Sequence, residues 1–313
     1  MNNLFLYIVT VLIWGSTFFA IEFQLGTVAP EVSIVYRYVG ASLILFAWAG
    51  LRRLQLKFSA RQHLWFALLG LLLFSLNYVL AYRAQIYLTS ALTAIAFSTL
   101  LWMNIINARL FFGVKAERRV LVGAGLGIGG IVTLFLPQIS ELTLSDGILI
   151  GSLFAVGGAF TASLGNMVSQ AAQKRRLPVI QGNAWGMFYG AIFSAVIAVA
   201  GGHSFTFDLS SAYIVSLAYL TVFGSIFAFG AYLTLLGRIG AHRAGYTMVM
   251  FPVLALILSV LFEGLQIDRY LVVGTLLVLL GNVFVLIKLP TQSLSKRIQV
   301  KIPELPRVTP SRG

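Results

Sequence analysis

Along its length the chain alternates long apolar runs with short polar connections. The runs lie at 4–21, 32–51, 62–81, 90–112, 118–137, 147–170, 183–201, 212–236, 243–262 and 270–288. A bilayer core of about 30 Å is crossed by roughly 20 mostly apolar residues in helical form. The pattern therefore predicts ten transmembrane helices. The connections are too short to hold a separate soluble domain, so the ten must pack as one bundle. The expected fold is an all-α integral membrane protein, in keeping with 59% hydrophobic and 10% charged residues.

Charge gives the bundle a direction. All 22 Lys and Arg residues except Arg37, Arg83 and Arg269 fall in alternate connections or in the last stretch of chain. Lys/Arg bias sets orientation, which places those connections and both termini in the cytoplasm. Most of the acids (Glu22, Glu31, Glu141, Asp146, Asp208, Glu263, Asp268) fall on the other side, although acids contribute little to topology. The net charge of +13 is then a topology signal beside anionic lipid rather than a footprint for nucleic acid. Residues 289–313, with Pro303, Pro306, Pro310 and scattered charge, read as a disordered basic cytoplasmic tail. The first residues carry no basic side chain and no clear small-residue cleavage site, so no cleavable signal peptide is expected. The absence of cysteine excludes disulfides and thiolate chemistry. No cofactor or metal is expected.

An internal repeat follows from glycine spacing. With an offset of 151, Gly113, Gly123 and Gly130 fall on Gly264, Gly274 and Gly281. Ten spans then divide into five plus five, as 1–143 and 144–288. Because five is odd, the second copy enters the bilayer from the opposite side, the inverted repeat common in secondary transporters. Further segments are Trp14-Gly15-Ser16-Thr17, Tyr36-Arg37-Tyr38 and Thr89-Ser90-Ala91. The second half has Phe223-Gly224-Ser225, Ala228-Phe229, Gly240-Ala241, Phe251-Pro252-Val253 and the Gly264 turn. In their order and spacing they make the chain resemble the EamA family of the drug/metabolite transporter superfamily, over about residues 4–288. The resemblance implies ten helices and a central polar-lined cavity bounded by spans one, three, four, six, eight and nine. It also implies movement of small metabolites, often outward. Two departures stand out. Leu101 occupies the repeat position of Pro252, and Val114 and Leu265 stand where many members have Glu.

Polar residues inside spans are costly unless they face protein or water, so their helical phase points to a cavity. Ser75, Tyr78, Tyr82 and Gln85 fall on one face of span three. Ser90, Thr93, Phe97, Asn104 and Asn107 form a stripe on span four. Ser163, Asn166 and Gln170 do so on span six, and Thr10, Trp14 and Thr17 on span one. The competing role is plain interhelical hydrogen bonding. Tyr232 and Tyr246 join Trp14 and Tyr78 as aromatic substrate contacts, against an interfacial belt as the alternative. Pro252 frees the carbonyl of Met248, giving a hinge or a static kink. Glu22, Arg37 and Arg83 lie nearest the outer mouth, where Glu22 pairing Arg37 or Arg83 would make an outer gate; snorkelling into headgroups is the alternative. Gly125-x-Gly127-x-x-Gly130 has no preceding strand, so it fails as a dinucleotide site. Gly123/Gly127 and Gly125/Gly129 read instead as close-approach pairs, within the monomer or at a homodimer seam.

These features favour a secondary transporter of small organic metabolites such as amino acids, with export and substrate class implied by the resemblance alone. The partners are then a small-molecule substrate and the lipid bilayer, in a bacterial inner membrane. A non-transporting scaffold or sensor is the second class. An intramembrane enzyme is the third, and it lacks a central His, Asp or Cys.

Overall fold

Local signals set the helix starts. Asn2 caps α1 (Asn3–Glu22), accepting from the Phe5 amide at 2.7 Å. The next helix, α2 (Pro30–Leu51), opens on a proline whose missing N–H costs nothing in a first turn. A Ser59/Gln62 capping box starts α3 (Ala60–Tyr87). Then come α4 (Ser90–Phe97) and α5 (Leu100–Phe112), with Gly113 at φ 66° closing α5 in the left-handed conformation. They are followed by α6 (Arg118–Leu134), α7 (Asp146–Lys174), α8 (Val179–Ala200) and α9 (Ser211–Ile239). The series ends with the short α10 (Ala241–Ala244) and α11 (Arg269–Leu286).

This computed structural model describes residues 2–134, 136, 146–251, 253–254 and 268–286. Pro252, with its expected hinge, and the tail 289–313 lie outside the described residues. Among the described residues there is no strand. Six helices among the described residues are long and apolar enough to cross a membrane: α1, α2, α3, α7, α8 and α9. Leu100–Phe112 and Arg269–Gly281 are shorter apolar helices.

Four spans depart from regular form among the described residues, and in one of them the turn at 245–246 parts α10 from a helix over 247–251. Span four is not one helix but two, α4 and α5. At the break the Thr99 hydroxyl donates back to the Ala96 carbonyl at 2.6 Å, and the Leu101 amide turns to Ser98 at 3.2 Å. Such local side-chain bonds compete with the regular ladder. The other two, α3 and α9, each contain a π-helical stretch, Gly70–Leu76 and Leu220–Phe227. A π turn widens the helix by one residue and changes the phase of every side chain beyond it.

The helices approach closely through glycine. A side-chain carbon at Gly70 would meet the Gly186 carbonyl at 2.6 Å, locking α3 against α8. Between α6 and α11 the contact is reciprocal. A carbon on Gly130 would sit 2.8 Å from the Gly274 carbonyl, and one on Gly281 would sit 2.7 Å from the Gly123 carbonyl. Gly123 and Gly130 are the partners of Gly274 and Gly281 under the 151-residue offset, so each contact mirrors the other. Gly127 also faces inward, onto Val249, whereas Gly125 and Gly129 face open space.

Interior and exterior have opposite character. Large apolar side chains such as Leu43, Leu110, Leu153 and Val196 point outward. Thr10, Ser33, Asn104, Ser163 and Ser194 are buried between helices. That is the reverse of a water-soluble domain and what lipid demands. Cross-links define two ends. At one, Arg238 donates to Asn3, Trp185 donates to the Leu56 carbonyl, and Arg243 pairs with Glu117. With Lys115, Lys174 and Arg175 also located there, this is the basic end. At the opposite end Tyr36 donates to the Thr206 carbonyl and Arg83 pairs with Glu31 at 2.6 Å.

Gly281→Val places a branched side chain against backbone and should destabilise the bundle by about 1–3 kcal/mol, read as a lower melting temperature in detergent. Gly125→Ala, at an open position, should be neutral or stabilise by up to about 1 kcal/mol.

Candidate functional site

A cavity of about 60 Å³ lies at the centre of the bundle. Its walls come from α1 (Trp14, Thr17, Phe18), α3 (Asn77, Tyr78, Ala81) and the α4–α5 break (Phe97, Leu100). They are completed by α7 (Ala162, Asn166), α9 (Phe229, Tyr232) and the 247–251 helix (Met248, Phe251). These are the six spans that the resemblance implied. The space holds a few waters rather than a metabolite, so an organic ligand enters only when lining side chains move.

Trp14 organises the wall. Its indole N–H donates to the Gly224 carbonyl at 3.0 Å, a group in the π-helical stretch of α9. Its ring meets Phe229 edge-on at 4.6 Å, Tyr232 at 4.9 Å and Phe251 at 6.0 Å. Towards the opposite end, Phe18 meets Phe97 at 5.7 Å. Towards the basic end, the Asn166 amide donates to the Tyr232 hydroxyl at 2.9 Å and to the Asn104 carbonyl oxygen at 3.2 Å. These three residues floor the cavity. Below them the Tyr7 hydroxyl donates to the Tyr246 carbonyl, the Tyr246 hydroxyl donates to Val120, and Gln170 accepts the Ala241 amide. At that end the cavity is sealed by side chains from both halves of the sequence.

Of the residues singled out by sequence, Trp14, Thr17, Tyr78, Phe97, Asn166 and Tyr232 line the cavity. Asn104 and Tyr246 lie beneath it, in the floor and the seal. Thr93 is buried and bonds back to the Thr89 carbonyl. Ser75 points elsewhere, accepting a hydrogen bond from Ser194 on α8 at 2.9 Å. Leu73, Asn77 and Ala81, four residues apart, form the lining stripe of α3, and Ser75 lies two residues from both Leu73 and Asn77, on the opposite side of the helix. Extending the face outward from Tyr78 through its polar neighbours therefore chose Ser75 and missed Asn77. Phe18, Phe229, Met248 and Phe251 were also missed, because an aromatic or aliphatic side chain in a membrane span carries no signal of its own.

The ionic pairing at the opposite end differs from the expected one. Arg83 pairs with Glu31, not Glu22, and Glu31 is only 1% exposed. Glu22, at the last turn of α1, is exposed. The His203 ring stands 3.8 Å from the other Glu31 oxygen. Arg37 joins neither acid: it is fully buried, and its Nε donates to the Ser225 hydroxyl at 2.8 Å. Among the described residues no cluster of His, Asp or Glu is arranged to hold a metal.

Comparison with known proteins fits this geometry. The chain matches the EamA-like transporter family over residues 1–136 and 149–287. It is 28% identical over 256 residues to the "Uncharacterized inner membrane transporter YedA" of Escherichia coli (strain K12), covering 79% of this chain and 78% of that protein. To Protein PagO of Salmonella typhimurium it is 25% identical over 295 residues, covering 88% and 92%. To the "Uncharacterized transporter YoaV" of Bacillus subtilis it is 24% identical over 276 residues, covering 86% and 91%. A solved crystal structure shares its fold, with a TM-score of 0.73 at 16% identity, covering 90% of this chain and 95% of that one. Since the family match runs through both halves of the sequence, the chain belongs to the EamA-like transporter family of membrane transporters.

Proposed function

We propose that the protein is a secondary transporter that exports small organic metabolites, such as amino acids or their relatives, by alternating access. The observation that carries this reading is the central cavity, walled by aromatic rings and amides from both halves and sealed at the basic end. Ten helices in two inverted five-helix repeats, 1–143 and 144–288, would rock about that cavity. The reciprocal glycine contacts of α6 and α11 support the repeat. So do the π-helical stretches of α3 and α9, which stand within a residue of the 151-residue offset. The basic end faces the cytoplasm with both termini, in the inner membrane, a location also carried by the name of the E. coli relative.

The lining suits an amphiphile. Trp14, Phe229 and Phe251 offer apolar faces, while the side-chain oxygens of Asn77 and Asn166 are buried without a donor. A substrate N–H or ammonium group would supply one. Opening towards the cytoplasm requires the Glu117–Arg243 pair and the Tyr7–Tyr246 contact to separate.

Three outcomes test this reading. Proteoliposomes loaded with a mixed pool of amino acids should release a subset selectively, as read by mass spectrometry. Trp14→Ala with Tyr78→Ala should cut that rate at least tenfold; no release above empty liposomes would sink transport. Because the chain has no cysteine, single cysteines report topology. Lys115→Cys in whole cells should react with a membrane-impermeant maleimide only after permeabilisation, and Ser210→Cys without it; the reverse would overturn the orientation. Finally, a hydrogen bond from Arg119 holds the Glu117 carboxyl below the usual carboxylate range, against the opposing effect of burial and with help from the charge of Arg243. The clip is intact above the ordinary carboxylate pKa and lost as pH falls through the depressed value. Glu117→Gln should mimic that loss at neutral pH, raising maleimide labelling of Asn104→Cys from the basic side.

A further inference from the structure

Arg37 presents a physical problem that the cavity can solve. Counting from Pro30, its Cα lies about 10 Å along α2, and its side chain is 0% exposed. Guanidinium keeps its proton in proteins, so the site cannot escape its charge by neutralising. A buried cation calls for an anion. Among the described residues no carboxylate lies within ion-pair distance of it. The nearest acid on its own helix, Glu31, is six residues away, about 9 Å along the axis, and is engaged by Arg83.

The hydrogen-bond inventory is equally one-sided. Nε donates to Ser225, whose hydroxyl passes its own proton to the Leu220 carbonyl in the π-helical stretch of α9. Both terminal nitrogens lack an acceptor. The Tyr82 hydroxyl lies beside the guanidinium, where a small shift makes it a neutral acceptor, but it supplies no negative charge. What remains is the Nη1/Nη2 edge of the guanidinium, the pair of donors that receives a carboxylate in a two-pronged bond.

That edge lies one side chain from the cavity. The Arg37 guanidinium carbon stands 4.6 Å from the centre of the Tyr78 ring, whose body also lines the cavity. A carbon added to Gly224 would meet Arg37 Nη2 at 3.0 Å and the methyl of Thr17, another lining residue, at 3.0 Å. The ring thus covers the cation by a cation–π contact and stands between the guanidinium and the cavity.

We propose that Arg37 is the anchor for the carboxylate of the transported molecule, reached when Tyr78 swings off the guanidinium. This rests on the transport reading and narrows its substrate class to organic monocarboxylates, zwitterionic amino acids included. One cation in an otherwise neutral, largely aromatic site balances one negative charge. A phosphate dianion would leave charge uncompensated in low dielectric. The aromatic wall around Trp14 then receives the apolar body of the substrate.

The test is binding in detergent, read as a thermal shift, for a panel of carboxylates and amino acids against their amides. The panel includes phenylacetate with phenylacetamide and L-phenylalanine with L-phenylalaninamide, and inorganic phosphate is added at matched ionic strength. Wild type should be stabilised by acids and not by amides. Arg37→Gln should abolish the shift, and Arg37→Lys, which keeps charge without the fork, should weaken affinity at least tenfold. Without ligand, Arg37→Gln should melt at the same temperature as wild type or higher, because an unpaired buried charge has gone. A merely structural arginine would give the opposite, a lower melting temperature with ligand preference intact. Equal response to amides, an acid shift surviving in Arg37→Gln, a preference for phosphate, or a silent wild type would each overturn the proposal. Flux of amides equal to that of acids would leave transport standing and remove the anchor. Carboxylate-selective binding without flux would do the reverse.

Discussion

A polar group in the core of a bilayer has to find its partner inside the protein, because lipid offers none. Much of this molecule follows from that constraint. The backbone is satisfied within helices, and the side chains that cannot be satisfied there are gathered between them. Asn107 reaches Ser163, Ser194 reaches Ser75, and Asn166 joins Asn104 to Tyr232. Each such bond contributes on average about 0.6 kcal/mol in a membrane protein. Their larger effect is on position: each fixes the rotation of a helix about its axis. Glycine supplies the complementary device, letting α3 reach α8 and α6 reach α11 at backbone distance so that dispersion contacts accumulate.

The same constraint explains why the irregular backbone lies where it does. Broken and widened helices expose carbonyls, which lipid does not tolerate but a protein interior does. The α4–α5 break, the turn at 245–246 and the two π-helical stretches all border the cavity or the groups beside it. In α9 the widened turn lets Gly224 accept from Trp14 and Ser225 hold Arg37. Local departures from ideal geometry thus become the contacts of the site.

The cavity and its seal are coupled through shared residues. Tyr232 forms part of the wall and part of the floor. Tyr246, one helix away, bonds to both the first and the sixth helix at the basic end. The contacts of the wall and those of the seal are therefore joined within two helical turns.

By itself the sequence determined the membrane class, the helical fold and the division of charge between two ends, because runs of apolar residues and Lys/Arg placement answer to the bilayer directly. It also marked Trp14, Thr17, Tyr78, Phe97, Asn166 and Tyr232, polar or aromatic side chains whose helical phase is regular enough to read. Tertiary structure alone decided the rest. The packing of α3 turned its Leu73–Asn77–Ala81 stripe to the cavity and left Ser75 facing Ser194 on α8. Glu31 rather than Glu22 took Arg83 because the end of α3 packs beside the start of α2. Arg37, legible only as a charge near one end of a span, proved to be buried, with no acid in ion-pair distance among the described residues. Periodicity records which face of one helix a residue occupies; whether that face meets lipid, water, an ion partner or an aromatic ring depends on helices distant in sequence.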